Sequence, residues 1–154
     1  MTIFLVRHAS AGGRSPSTDD DLDRQLDTAG LEQAETLIEL LGDRGIVEIY
    51  SSRAIRCVQT VEPLAQHLGL AVQVHPALVE GQSAVMAVHL ARGLATAGTN
   101  AVLSSHGDII PDSIQTLARE GMIITGQRGW SKGSTWELST RGGDITEAKF
   151  LGPF

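Results

Sequence analysis

Apolar residues along this chain follow two habits: short unbroken runs, and longer stretches in which they recur at helical spacing. The runs Ile3 to Val6, Ile46 to Tyr50, Ala71 to Val74, Ala101 to Ser104 and Ser134 to Leu138 read as strands, with a weaker one from Ile145 to Phe150. Between the first four lie helical patterns. Leu31, Ala34, Leu37, Ile38 and Leu41 share one helix face, with Asp27 or Thr28 as N-cap and Gly42 as a stop. A second helix runs from about Arg53 to Leu68, where Pro63 is expected to kink or divide it. A third spans roughly Ser83 to Ala97 and a fourth roughly Ile109 to Arg119. Strands alternating with helices imply βαβ units, and continuous apolar strands imply a sheet covered on both faces. The expected fold is a three-layer α/β/α sandwich with a mostly parallel central sheet, formed by one domain over residues 1–154.

Composition narrows the classes. At 154 residues and 42% hydrophobic content the chain is an ordinary globular domain, neither disordered nor membrane-spanning. A formal net charge of −6 and few aromatics argue against a nucleic-acid binder, so an anionic substrate must be drawn by a local cluster of cations. The single cysteine, Cys57, excludes an internal disulfide and fits a reducing compartment. The first apolar run is far too short for a signal or transmembrane segment, so the cytoplasm is the expected location.

Chemistry-bearing residues gather where strands end. The run Phe4 to Val6 stops on Arg7 and His8, and Ala101 to Ser104 leads into Ser105-His106-Gly107. After the second strand comes SSRAIRCVQT, which brings Arg53 and Arg56 to or near a helix N-terminus, where free N–H groups favour an anion. After the third, ALVEG puts Glu80 in a turn. In an open α/β sheet, ligands collect at these carboxyl ends. The set suits phosphoryl transfer. A neutral imidazole can attack phosphorus, forked arginines and a second histidine can stabilise the equatorial oxygens, and a carboxylic acid can protonate the leaving oxygen. No metal or cofactor is required.

These motifs, in order LVRHA, LDTAGLEQA, SSRAIRCVQT, LVEG, LSSHG and KGSTWEL, resemble those of the histidine phosphatase superfamily, the phosphoglycerate-mutase-like group. The resemblance implies that His8 is the phosphorylated nucleophile, that Arg7 and Arg56 bind the phosphoryl group together with His106, and that Glu80 is the proton donor. Size and the Arg-His-Ala variant resemble the small SixA-type phosphohistidine phosphatases, whereas RHASAG and RCVQTV also resemble the phosphatase half of actinobacterial proteins in which this domain follows a Nudix domain. The implied activity is metal-independent hydrolysis of phosphohistidine on a protein, with a small phosphate such as a nucleotide or sugar phosphate as the alternative substrate. From a different class, a non-catalytic phosphate-binding module would keep the fold and lose a core residue.

Other residues have plainer readings. Ser10, Arg14, Arg53 and Arg128 are candidates for a substrate rim, and Trp130 and Lys132 for that rim or a packed loop. Asp108 is expected to cap a helix and is the nearest rival to Glu80. His67, His75 and His89 match no zinc spacing and are expected on the surface or in packing. The acidic run Asp19-Asp20-Asp21-Leu22-Asp23 reads as a solvated loop. Cys57 fails as a phosphatase nucleophile because Pro63 stands where the required arginine would be.

Overall fold

A buried strand with both faces covered needs no polar alternation, and β1 (Thr2–Arg7) has none between Ile3 and Val6. The computed structural model describes residues 1–13 and 21–153. In it, Ile3 and Leu5 point to one core and Phe4 and Val6 to the other. The second core is closed by helices α1 (Thr28–Leu41) and α2 (Ile55–Leu68), through Leu37, Leu41, Val61 and Leu64. The first is closed by α3 (Ala84–Thr96) and α4 (Ile109–Arg119), through Val88, Ala91, Ile110, Ile114 and Leu117. Three layers result. Leu31, assigned to the apolar face of α1, is instead 50% exposed, because the buried face of the helix runs through Gly30, Ala34, Leu37 and Leu41.

The seven-stranded sheet has the order β3-β2-β4-β1-β6-β7-β5. Strands β2 (Glu48–Ser51), β3 (Val72–Val74) and β4 (Ala101–Ser105) run parallel to β1. β6 (Ser134–Arg141) runs against its neighbours, while β7 (Asp144–Pro153) and β5 (Ile123–Thr125) are parallel to each other. β4 inserts between β1 and β2, so the chain changes direction across the sheet beside β1, and a crevice opens at the carboxyl ends of those strands.

Sequence patterning needs correction in three places. The last strand is longer than expected, since the Gly142-Gly143 turn, with φ of 61° and 86°, makes a tight hairpin that pairs β6 and β7 from Arg141↔Asp144 outward. β5 was not expected at all. Pro63 does not divide α2, which starts at Ile55 and runs unbroken to Leu68. Among the described residues no helix is long and apolar enough to cross a membrane.

Candidate active site

Strand register builds the site. Arg7 lies opposite Ser105 in the β1–β4 ladder, and the His8 N–H donates to the Ser105 carbonyl at 3.0 Å. His8 and His106 therefore leave adjacent strands side by side, with ring centroids 5.6 Å apart and planes at 66°. His8 Nδ1 is 2.9 Å from the Ala9 carbonyl oxygen. A carbonyl only accepts, so Nδ1 carries the proton and Nε2 keeps its lone pair. Burial pushes the His8 pKa down to about 3, and the charges of Arg56 and His106 act in the same direction. The imidazole is thus a neutral base at ordinary pH.

His106 is held from both ring nitrogens. Its Nε2 lies 2.8 Å from Ser52 Oγ and its Nδ1 3.3 Å from Arg56 Nη2. A guanidinium only donates, so Nδ1 accepts and Nε2–H points to Ser52. Burial first, then the Arg56 charge, lowers this pKa to about 4.

Arg56, only 1% exposed, projects from the first turn of α2. Its Nη1 donates to the Asp21 carbonyl at 2.7 Å, and its Nη2 pairs with the carboxylates of Asp21 at 3.3 Å and Glu80 at 3.2 Å. Arg7 donates to the Trp130 carbonyl and lies against Gly107, where any Cβ would fall 2.6 Å from the guanidinium carbon. Among the described residues the Nε–H groups of Arg7 and Arg56 are buried without a hydrogen-bond partner, which is costly and typical of a site that a ligand completes. Burial lowers the pKa of Arg7, with Glu80 and Asp108 opposing.

Arg7, His8 and Glu80 open onto a cleft of about 320 Å³, lined also by Gly12, Arg24, Gly107, Asp108 and Lys132, while the buried Arg56 and His106 are not among its lining residues and join the group through Glu80 and His8. The residues expected at the strand ends, Arg7, His8, Arg56, Glu80 and His106, do come together. Several rim candidates do not. The Ser10 hydroxyl is spent on Asp27 at 2.7 Å, so it faces α1. Arg53 and Arg128 are exposed and are not among the residues that line the cleft. Arg14 lies outside the described residues. Trp130 stacks on Trp136 at 5.1 Å and belongs to a packed loop, whereas Lys132 from the same loop reaches the cleft. Asp108 accepts from Ile109 N–H and Gly81 N–H, both at 2.8 Å, so it caps α4 and fixes the turn carrying Glu80.

The acidic run is also corrected. Asp19 and Asp20 fall outside the described residues, but Asp21 is 5% exposed and pairs with Arg24 and Arg56 rather than with solvent. Asp21, Arg24 and Ser52 were not singled out as site residues, and only the pairing of distant segments identifies them. Cys57, fully buried beneath the site with Sγ 3.5 Å from His106 Nε2, has its thiol pKa pushed up by burial to about 12. A larger cavity, about 550 Å³, lies elsewhere, between His75, Val85, Met86, His89, Leu90 and Leu94. It is apolar and lacks converging charge, so we place the chemistry in the smaller cleft.

The family model described as histidine phosphatase superfamily (branch 1) matches residues 3–87. An 8-oxo-(d)GTP phosphatase of Mycolicibacterium smegmatis is 38% identical over 157 aligned positions, which take in 99% of this chain and 48% of that protein. The chain therefore spans about half the length of that curated relative. Among solved structures, the protein histidine phosphatase SixA complexed with tungstate superposes with a TM-score of 0.72 at 19% identity, covering 99% of this chain and 95% of that one. A mycobacterial glucosyl-3-phosphoglycerate phosphatase does so with a TM-score of 0.72 at 18% identity, covering 99% and 97%. At those identities the likeness is one of fold.

Proposed function

The chain belongs to the histidine phosphatase superfamily, and we propose that it is a phosphatase that hydrolyses a small phosphate of the nucleotide kind through a phosphohistidine on His8. The observation that carries the chemistry is the His8 ring, neutral and tied through Nδ1 so that Nε2 has a free lone pair. Nε2 attacks phosphorus, and the bond to the leaving oxygen breaks as Glu80 gives that oxygen a proton. Arg7 and Arg56 stabilise the charge spread over the equatorial oxygens, and His106, accepting from Arg56 through Nδ1, holds that arginine in place. Water then attacks the phosphohistidine, its proton returns to Glu80, and inorganic phosphate leaves with His8 neutral again. Glu80 is favoured over Asp108 as the acid because both Asp108 oxygens already accept backbone N–H groups. Glu80 and Asp21 share Arg56 in the absence of substrate, so an incoming phosphoryl group exchanges with carboxylates at Nη2.

The substrate class rests on the 38% identity to the 8-oxo-(d)GTP phosphatase, a relationship nearer than the fold-level likeness to SixA. A panel of nucleoside mono-, di- and triphosphates, sugar phosphates and a phosphohistidine protein, ranked by kcat/KM, tests it. Nucleotides should lead, and a phosphohistidine protein that outranks them all would replace the substrate while leaving the chemistry intact. His8→Ala should abolish turnover and the acid-labile phosphate of quenched enzyme; full activity in that variant would sink the mechanism.

A further inference from the structure

The peptide unit joining Ala9 to Ser10 is gripped at both ends. Its carbonyl accepts from His8 Nδ1 at 2.9 Å, and its N–H donates to Gln33 Oε1, also at 2.9 Å. Gln33 lies on α1 and is not among the residues that line the cleft. Its own amide is confined, because a Cβ on Gly133 would fall 3.0 Å from Gln33 Nε2, and the Gly133 N–H donates to the His8 carbonyl at 3.0 Å. The helix cannot slide along this loop. Asp27 N–H donates to the Ser10 carbonyl at 3.1 Å, and the Asp27 carboxylate accepts from Ser10 Oγ and from Gly12 N–H. At Gly30, a Cβ would lie 1.9 Å from the Ser10 carbonyl oxygen.

We propose that Gln33 is a positioning residue for the nucleophile, acting through the Ala9–Ser10 peptide; this rests on the reading of His8 as the phosphoryl acceptor. An acceptor on a peptide N–H polarises the unit and makes its carbonyl a stronger acceptor. Gln33 thereby holds His8 in the Nδ1–H tautomer and fixes the plane of the ring, which aims Nε2 at the cleft. The arrangement follows the general logic of a nucleophile oriented by a second group that is itself held. Here the middle member is backbone. The phosphate-binding arginines, carried on the end of β1 and on α2, do not depend on Gln33 directly.

The test uses the full chain with p-nitrophenyl phosphate as probe, reading the single-turnover rate of acid-labile phosphate formation and the inhibition constant of orthophosphate. Gln33→Leu keeps bulk and loses the acceptor; Gln33→Glu keeps an acceptor oxygen. The leucine variant should form phosphoenzyme about 10–100-fold more slowly while orthophosphate inhibition moves by less than about 3-fold, and the glutamate variant should recover most of the rate. Should Gln33→Leu fail to fold by circular dichroism, Gln33→Ala takes its place in the same comparison. A folded acceptor-less variant as fast as wild type overturns the role, as does a glutamate variant no faster than it, or a parallel loss of orthophosphate binding. A wild-type enzyme without acid-labile phosphate overturns the reading of His8 and this role with it, whereas phosphorylated wild type beside an equally fast variant overturns the role alone.

Discussion

Replacing His8 with asparagine removes a ring that folding keeps uncharged, and the burial of that ring makes the effect on stability depend on pH. The histidine has an ordinary pKa of 6.5 in the unfolded chain and about 3 in the folded site. Below 6.5 the unfolded chain takes up a proton that the folded site refuses, so the stabilising contribution is present above that value and is lost as pH falls towards 3. Between about pH 7.5 and about pH 4.5, linkage makes this loss roughly 2–3 kcal/mol. Carboxylates titrate in both proteins, and their contribution cancels when wild type is compared with His8→Asn. Urea unfolding followed by circular dichroism at several pH values gives the difference directly. Whatever its value near neutrality, it should move by about 2–3 kcal/mol in favour of the variant at the acid end. Curves that stay parallel across the range would show that the ring is charged or solvated in the folded protein, and the argument for a neutral nucleophile would fall.

Two further outcomes follow from packing around the same site. Gly107→Ala puts a methyl group where Arg7 lies, 2.6 Å from its guanidinium carbon, and should lower kcat/KM by roughly 10–100-fold through displacement of that arginine; steady-state kinetics matching wild type would refute the contact. Cys57, fully buried with its thiol pushed up to about 12, should resist an aromatic disulfide reagent until urea unfolds the chain; rapid stoichiometric labelling in native buffer would contradict the burial.

The sheet and the strand-end cluster were legible in the sequence because both are written locally. An apolar run that stops on Arg7 and His8 announces a buried strand and its emergence, and β4 repeats the signal with His106. β5 was not legible: with three residues, Ile123 65% exposed and pairing to β7 alone, it owes its existence to a neighbour rather than to its own pattern. The length of β7 could have been found from the Gly-Gly turn, a recognised hairpin signal. Asp21 was misread because its partner, Arg56, is 35 residues away, and a carboxylate in an acidic run looks solvated until a buried guanidinium is placed against it. The direction of the Ser10 hydroxyl was illegible for the same reason. Which way a small hydroxyl turns depends on Asp27, seventeen residues on.

The reversed direction of β6 bears on how the enzyme's scope could be retuned. Because β6 starts where β1 ends, with Thr135 opposite Val6, the loop that precedes it delivers Lys132 to the cleft without crossing any strand. That wall is hung from the sheet by its last residues, while His8, the proposed nucleophile, and its supports come from β1, α1 and α2. Residues 126–131 are therefore a natural place for lengthening or exchange in laboratory evolution, where the mouth of the cleft can be recut around a new leaving group while the phosphoryl-handling half is left alone.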